Sequence, residues 1–235
     1  MADQAQLRSD VLAANLALPA QGLVKLTWGN VSGVDRDRGL MAIKASGVDY
    51  ESMTVEDVVL VDLDSGEVVT DPAHPERRPS TDTPTHRALY NAFDGIGGIV
   101  HTHSTWATAW AQAEREIPLL GTTHADLMAD AVPLTRQLTA EEVERDYEGE
   151  TGTVLIELIG DRIDEFPAAL VRGHAPFCWA ATPAKAVEVA VTVEEVARLA
   201  LLTRLVDPEG GPLAEILRDK HHRRKHGPNA YYGQG

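Results

Sequence analysis

Two short apolar runs do most to limit what this chain can become. Residues 39–44 and 57–63 read as strands, and Asp64-Ser65-Gly66 is a tight turn that sends the second run back into 67–70. Strands joined by a hairpin rather than a crossover pair antiparallel. Further strands are expected over 97–103, 153–159 (TVLIELI) and 168–172. Between them, apolar residues recur at helical spacing over 4–18, 83–93, 104–114, 183–205 and 213–226. The helix at 83 is announced by Asp82-Thr83-Pro84, a capping residue followed by an early proline. Residues 71–80 carry three prolines and read as a loop, and the tail 229–235 reads as irregular. Strands and helices intermixed in this way predict an α/β fold with a mixed or antiparallel sheet and helices packed on it. No repeat or long polar linker divides the chain, so one domain over 1–235 is expected.

At 235 residues the chain can bury a sizeable core. Its 21 Lys and Arg against 36 Asp and Glu leave a net charge of −15, which repels nucleic acid and anionic membrane alike. Neither is expected as a partner, although a local basic pocket is still able to hold one small phosphate ester. The single cysteine, Cys178, excludes an intrachain disulfide framework and a Cys-rich zinc module. No run approaches 18 apolar residues, and the first residues lack the basic stretch of a secretory signal, so a cytoplasmic setting is expected.

The candidate chemistry begins at His101-Thr102-His103. On a strand, positions i and i+2 share a face, so both imidazoles can reach one metal ion; the pair is equally compatible with two surface or core histidines. A third ligand must come from elsewhere. His174 sits in a Gly/Pro turn after an expected buried strand, while His124, His86, His74 and His226 compete for the role. Gly121-Thr122-Thr123-His124-Ala125-Asp126 supplies small and hydroxyl residues beside an acid, and reads either as a ligand-facing segment or as a tight turn with a solvated Asp126. Gly29-Asn30, Ser46-Gly47 and Ser80-Thr81 each pair a flexible backbone N–H with a polar side chain, as an anion site needs, and Lys44 adds charge. Each pair also suits an ordinary turn or cap. Neither GxxxxGK[ST] nor GxGxxG is present, so nucleotide binding is not expected. The basic run Lys220–His226 reads as a solvated helix face, with Tyr231-Tyr232 just beyond it.

Taken together, LTWGNVSGVDRDRGLMAIKASGVDY (26–50), PSTDTPTH (79–86), GGIVHTHSTWAT (97–108), GTTHAD (121–126), YEGETG (147–152), HAPF (174–177) and DKHHRRKHGPNAYYGQ (219–234) resemble the class II aldolase/adducin-like family. Within it, the resemblance is to the enzymes that epimerise C4 of a ketopentose 5-phosphate. It implies a three-layer αβα domain with a mainly antiparallel central sheet, and a cyclic homotetramer with active sites between subunits. A divalent metal, usually zinc with Mn2+ or Co2+ as alternatives, would fall on His101, His103 and His174, with Asp82 as the carboxylate beside it. The acid/base pair would fall on Asp126 and on Tyr232, the latter offered by a neighbouring subunit. Phosphate and sugar contacts would fall on Gly29, Asn30, Ser46, Gly47, Ser80 and Thr81, with Lys44, Thr122, Glu148 and His221 in support. The implied reaction converts L-ribulose 5-phosphate to D-xylulose 5-phosphate in carbohydrate breakdown. Three rivals remain on the same scaffold: an epimerase acting on a related ketopentose phosphate, a sugar-phosphate aldolase that releases its fragments, and a non-catalytic interaction domain. The chain departs from the family pattern at Lys44-Ala45-Ser46-Gly47, Ser80-Thr81, Arg172-Gly173-His174 and Leu127–Asp130.

Overall fold

The computed structural model describes residues 2–69, 74–228 and 230–232. Seven strands form one sheet: β1 Asn30–Asp35, β2 Leu40–Lys44, β3 Val58–Asp62, β4 Val68–Val69, β5 Gly98–His101, β6 Ala168–Leu170 and β7 Pro176–Ala180. Their order across the sheet is β4-β3-β2-β1-β5-β7-β6, and every neighbouring pair is antiparallel. The helices are α1 Ala2–Ala20, α2 Thr83–Ala92, α3 Thr105–Gln112, α4 Thr122–Leu127, α5 Ala140–Ile159, α6 Pro183–Val206 and α7 Glu215–Lys225.

Alternation along β1 sorts the helices into layers. Gly33 faces α1 and α6: a Cβ there would stand 2.9 Å from Val11 and from Pro183. The bare backbone is what lets the start of α6 press against the sheet. Ser32, one residue back, faces the other way, and its hydroxyl meets His86 Nδ1 at 2.7 Å and the Tyr90 hydroxyl at 2.9 Å, both on α2. α2 in turn packs on α5. The expected αβα arrangement with an antiparallel sheet is therefore the one observed. The core runs through both interfaces, from Val11, Val31 and Ala197 to Leu89, Ile99 and Phe177.

One expected strand is a helix. Residues 153–159 belong to α5, not to the sheet. Its β-branched run invites a strand reading, but the start of α5 carries a capping box, in which Thr139 accepts from the Glu142 amide and Glu142 from the Thr139 amide. Gly152, Leu155 and Ile159 are buried at three- and four-residue spacing, which suits one face of a helix. Two strands and a helix went unexpected: β1, β7 and the short α4, which stands where 121–126 suited either a ligand-facing segment or a tight turn. Of the expected tail 229–235, only Ala230–Tyr232 lie within the described residues, and they carry no helix or strand; 70–73 lie outside them as well. No helix among the described residues is long and apolar enough to cross a membrane.

Candidate metal centre and sugar-phosphate cavity

Three strand ends meet at one end of the sheet, on the α2 side. In register, Asn30 opens β1 opposite His101, which closes β5, and His101 lies opposite Phe177 near the start of β7. His101 is almost fully buried, stacked on Phe177 with ring centroids 4.1 Å apart. Its Nδ1 donates to the Pro176 carbonyl at 3.0 Å, which assigns the other nitrogen, Nε2, to the open side. His103 lies beyond the end of β5, on the stretch before α3, and is exposed. His174 comes from the turn between β6 and β7. Its Nε2 stands 3.2 Å from His103 Nε2, while its Nδ1 lies 3.2 Å from the Tyr147 hydroxyl. One ligand nitrogen from each of His101, His103 and His174 falls within 4.8 Å of the others. Two ligands bound at about 2.0–2.1 Å in a tetrahedron stand roughly 3.3–3.4 Å apart, close to the His103–His174 separation, so the donor set fits a divalent ion. Burial and the neighbouring His101 and His103 push His174 down to about 3; burial and His101 lower His103. Both shifts favour the neutral form, the one a ligand must adopt.

Asp82 sits at the N-cap of α2, but its carboxylate does not cap the helix. Asn30 Nδ2 donates to its Oδ2 at 2.6 Å, and the Ser80 hydroxyl donates to the same oxygen at 3.3 Å. Burial opposes its charge, yet His101, His86 and the Asn30 hydrogen bond hold it below the usual carboxylate range. Gly29 has φ of +88°, and a Cβ there would stand 2.9 Å from the His101 carbonyl. Only glycine lets the Trp28-Gly29-Asn30 corner close so tightly on β5.

A cavity of about 410 Å³ opens over this cluster. The three histidines and Asp82 line it, together with Gly29, Asn30, Tyr147 and Glu148. Lys44, Ser46, Gly47, Ser80 and Thr81 also line it. The amides of Ser46 and Ser80 donate to the carbonyls of Arg78 and Lys44, so those two N–H groups are satisfied within the chain. Lys44 is buried. Its Nζ reaches the Ala45 carbonyl at 3.3 Å and lies over the Tyr50 ring at 4.9 Å. Burial lowers it from the ordinary lysine value, against the opposing pull of Asp49 and Asp57.

Asp126, Tyr232, His221 and Thr122 do not line that cavity within one chain. Asp126, near the end of α4, is gripped by Arg224 of α7, whose Nε donates to Oδ1 at 2.8 Å and whose Nη2 donates to Oδ2. His221 Nδ1 lies 3.2 Å from Oδ1, and the Tyr232 ring covers the Arg224 guanidinium at 4.2 Å. Partial burial works against the charge on Asp126, but Arg224 and His221 hold its carboxyl below the usual range. Thr122 opens α4.

The competing histidines fall elsewhere. His124 is buried in α4, and burial pushes it to about 4. His226 Nε2 pairs with the Asp126 carbonyl at 2.9 Å, and His74 stands 3.6 Å from Glu76. His86 is fully buried behind Asp82, and burial holds it near 3 despite the opposing Asp82 carboxylate. Its folded pKa lies below the unfolded value of about 6.5, so the unfolded chain takes up a proton that the fold refuses. Its contribution is constant above about pH 6.5 and is lost as the pH falls toward 3. The expected slope is roughly 1.4 kcal/mol per pH unit for this one group. Urea unfolding of metal-free protein at pH 7, 6 and 5 checks it: His86→Gln is expected to flatten the slope by about one proton, and an unchanged slope would count against it.

Tyr147 was not among the expected site residues. No spacing marks it in the sequence; only the structure brings it to His174.

The chain resembles known proteins along most of its length. The family model described as the class II aldolase and adducin N-terminal domain matches residues 9–201. L-ribulose-5-phosphate 4-epimerase UlaF of Salmonella paratyphi B is 52% identical over 231 residues, covering 97% of this chain and 99% of that protein. The protein of the same name from Salmonella typhi is also 52% identical over the same extent. Among solved structures, an L-fuculose 1-phosphate aldolase superposes with a TM-score of 0.76 at 24% identity, over 93% of this chain and 95% of that one. With a family match across most of its length, on an antiparallel sheet at one end of which three histidines converge, the chain belongs to the class II aldolase and adducin family.

Proposed function

We propose that this chain is a divalent-metal-dependent L-ribulose-5-phosphate 4-epimerase that interconverts L-ribulose 5-phosphate and D-xylulose 5-phosphate. The observation that carries the reading is the 52% identity to epimerases over nearly the whole chain, in a protein that also assembles the His101/His103/His174 cluster beside Asp82.

The chemistry explains why such a site suits the reaction. The C4 hydrogen of a ketopentose phosphate is not adjacent to the C2 carbonyl, so its removal would leave a carbanion without enolate stabilisation. Loss of the C4-hydroxyl proton instead breaks the C3–C4 bond, giving the enediolate of dihydroxyacetone and glycolaldehyde phosphate. The aldehyde turns its other face, the bond re-forms, and the new C4 alkoxide takes back a proton. When bound by His101, His103 and His174 with Asp82 beside them, a divalent ion (zinc, or Mn2+ or Co2+ in its place) supplies positive charge where negative charge develops.

The C4 oxygen points opposite ways in the two epimers, so two proton carriers are needed on opposite sides. Asp126 and Tyr232 fill these roles in the proposal. Within one chain Arg224 keeps Asp126 ionised and stacks on Tyr232, so in the proposal the two carriers flank one sugar only when they come from different subunits. The cluster around Arg224 lies outside the chain's own cavity, which supports an assembly, in the proposal a homotetramer, whose neighbouring subunits bring cluster and cavity together. Lys44, Ser46, Gly47, Ser80 and Thr81 bind the sugar phosphate with Gly29 and Asn30, and hold the aldehyde fragment while it turns. Thr122, Glu148 and His221 assist. A cytoplasmic setting fits the single buried thiol, Cys178.

The aldolase rival shares the metal cluster, but several such enzymes carry Glu where this chain has Asp82. Incubation with L-ribulose 5-phosphate is expected to yield D-xylulose 5-phosphate, and a chelator to stop it. Accumulation of free glycolaldehyde phosphate would instead favour a fragment-releasing aldolase.

A further inference from the structure

Helix α5 is broken where it reaches the cavity. Asp146 adopts extended backbone (φ −166°, ψ 80°) inside an otherwise helical stretch. Its carboxylate accepts the Gly149 amide at 3.2 Å and so restarts the helix. The first residues after the break are pinned by their carbonyls: the Thr151 hydroxyl donates to Tyr147 at 2.8 Å, and the Thr85 hydroxyl donates to Glu148 at 2.6 Å. A continuous helix would carry Tyr147 on a different bearing. The interruption instead aims its phenol at the cavity wall, 3.2 Å from His174 Nδ1.

His174 lacks the anchoring that the strand gives His101. His101 is locked by a strand carbonyl on one ring nitrogen and by the stacked Phe177. His174 instead sits in a turn behind Gly173, whose φ is +70°. An imidazole ring there is free to rotate about its χ angles unless something fixes it.

We propose that Tyr147 is a positioning residue for the metal cluster: its hydroxyl oxygen accepts the Nδ1–H of His174 and thereby holds bare Nε2 toward His101 and His103. The phenol keeps its own proton for an acceptor in the cavity, so one oxygen ties the ligand ring to the space a sugar phosphate would occupy. The inference rests on the metal reading above and extends it to a residue that touches no ion.

The test is zinc affinity, measured on metal-free protein by competition with a chromophoric chelator, for wild type, Tyr147→Phe and His103→Ala. Loss of such an outer partner typically weakens a site by about 10–100-fold. Tyr147→Phe is expected to lose affinity by that factor and to shift the visible absorption of the Co2+-loaded protein, with the urea midpoint of the metal-free protein unchanged. Zinc affinity within twofold of wild type would overturn the proposal, whether or not the midpoint moved. Wild type binding zinc no more tightly than His103→Ala would overturn the metal reading itself, and this inference with it.

Discussion

His103→Ala is expected to abolish turnover of L-ribulose 5-phosphate while leaving the fold intact. Of the three clustered histidines it is the one whose removal costs the core least. It is exposed and lies past the end of β5, whereas His101 is buried between Phe177 and the Pro176 carbonyl. Losing one of three imidazoles leaves His101 and His174 to hold a divalent ion with Asp82 nearby, too few neutral nitrogen ligands for a tight site. A Lewis acid contributes several kcal/mol to a reaction that develops charge on oxygen, and each 1.36 kcal/mol is tenfold in rate. The expected drop is therefore at least about 10³-fold, together with loss of bound metal by elemental analysis. A metal-free His103→Ala protein that retained wild-type rates would remove the basis of the proposed chemistry.

The sequence showed different parts of this molecule with unequal clarity, for physical reasons. β2 and β3 were plain because both are buried along their length and read as apolar runs flanking a turn. β1 was not, because its composition answers to other demands. Asn30 is there to hold Asp82, Ser32 to meet His86 and Tyr90, and Gly33 to admit α6; the valines alone carry too little strand signal. The 153–159 segment misled because β-branched residues dominate it, although the Thr139/Glu142 capping box upstream was visible in the sequence. The His101/His103 pair was singled out on the premise of a shared strand face. In the structure β5 stops at His101, and His103 reaches the cluster from the stretch beyond it, their ring centroids 5.1 Å apart. The convergence is real, but a turn of the chain produces it rather than strand alternation. Tyr147 carried no signal, since its placement depends on one extended residue inside a helix. Asp126 and Tyr232 were drawn from resemblance, and the structure adds what joins them: Arg224, from a basic run that had read as a solvated face.

That junction shapes the second large effect. Asp126→Asn keeps the size of the side chain and one oxygen acceptor, but the variant can neither take up nor return a proton. A general acid/base step contributes typically about 10²–10⁴-fold, so turnover is expected to fall by that factor in both directions with metal content unchanged. The unchanged metal content separates this outcome from His103→Ala, because Asp126 lies outside the cavity that the histidines line. Arg224 complicates a simple reading of the loss, since the same substitution breaks a charge-assisted pair with its two hydrogen bonds. Arg224→Met distinguishes the roles. It removes the clamp and the stacked cation beneath Tyr232 but leaves the Asp126 carboxylate in place. If Asp126 carries the proton, Arg224→Met should retain more turnover than Asp126→Asn, with the acid limb of its pH–rate profile moved to higher pH as the carboxyl loses the partner that holds its pKa down. Equal losses in the two variants, with no movement of that limb, would make Asp126 an anchor for α7 and leave the proton to another group.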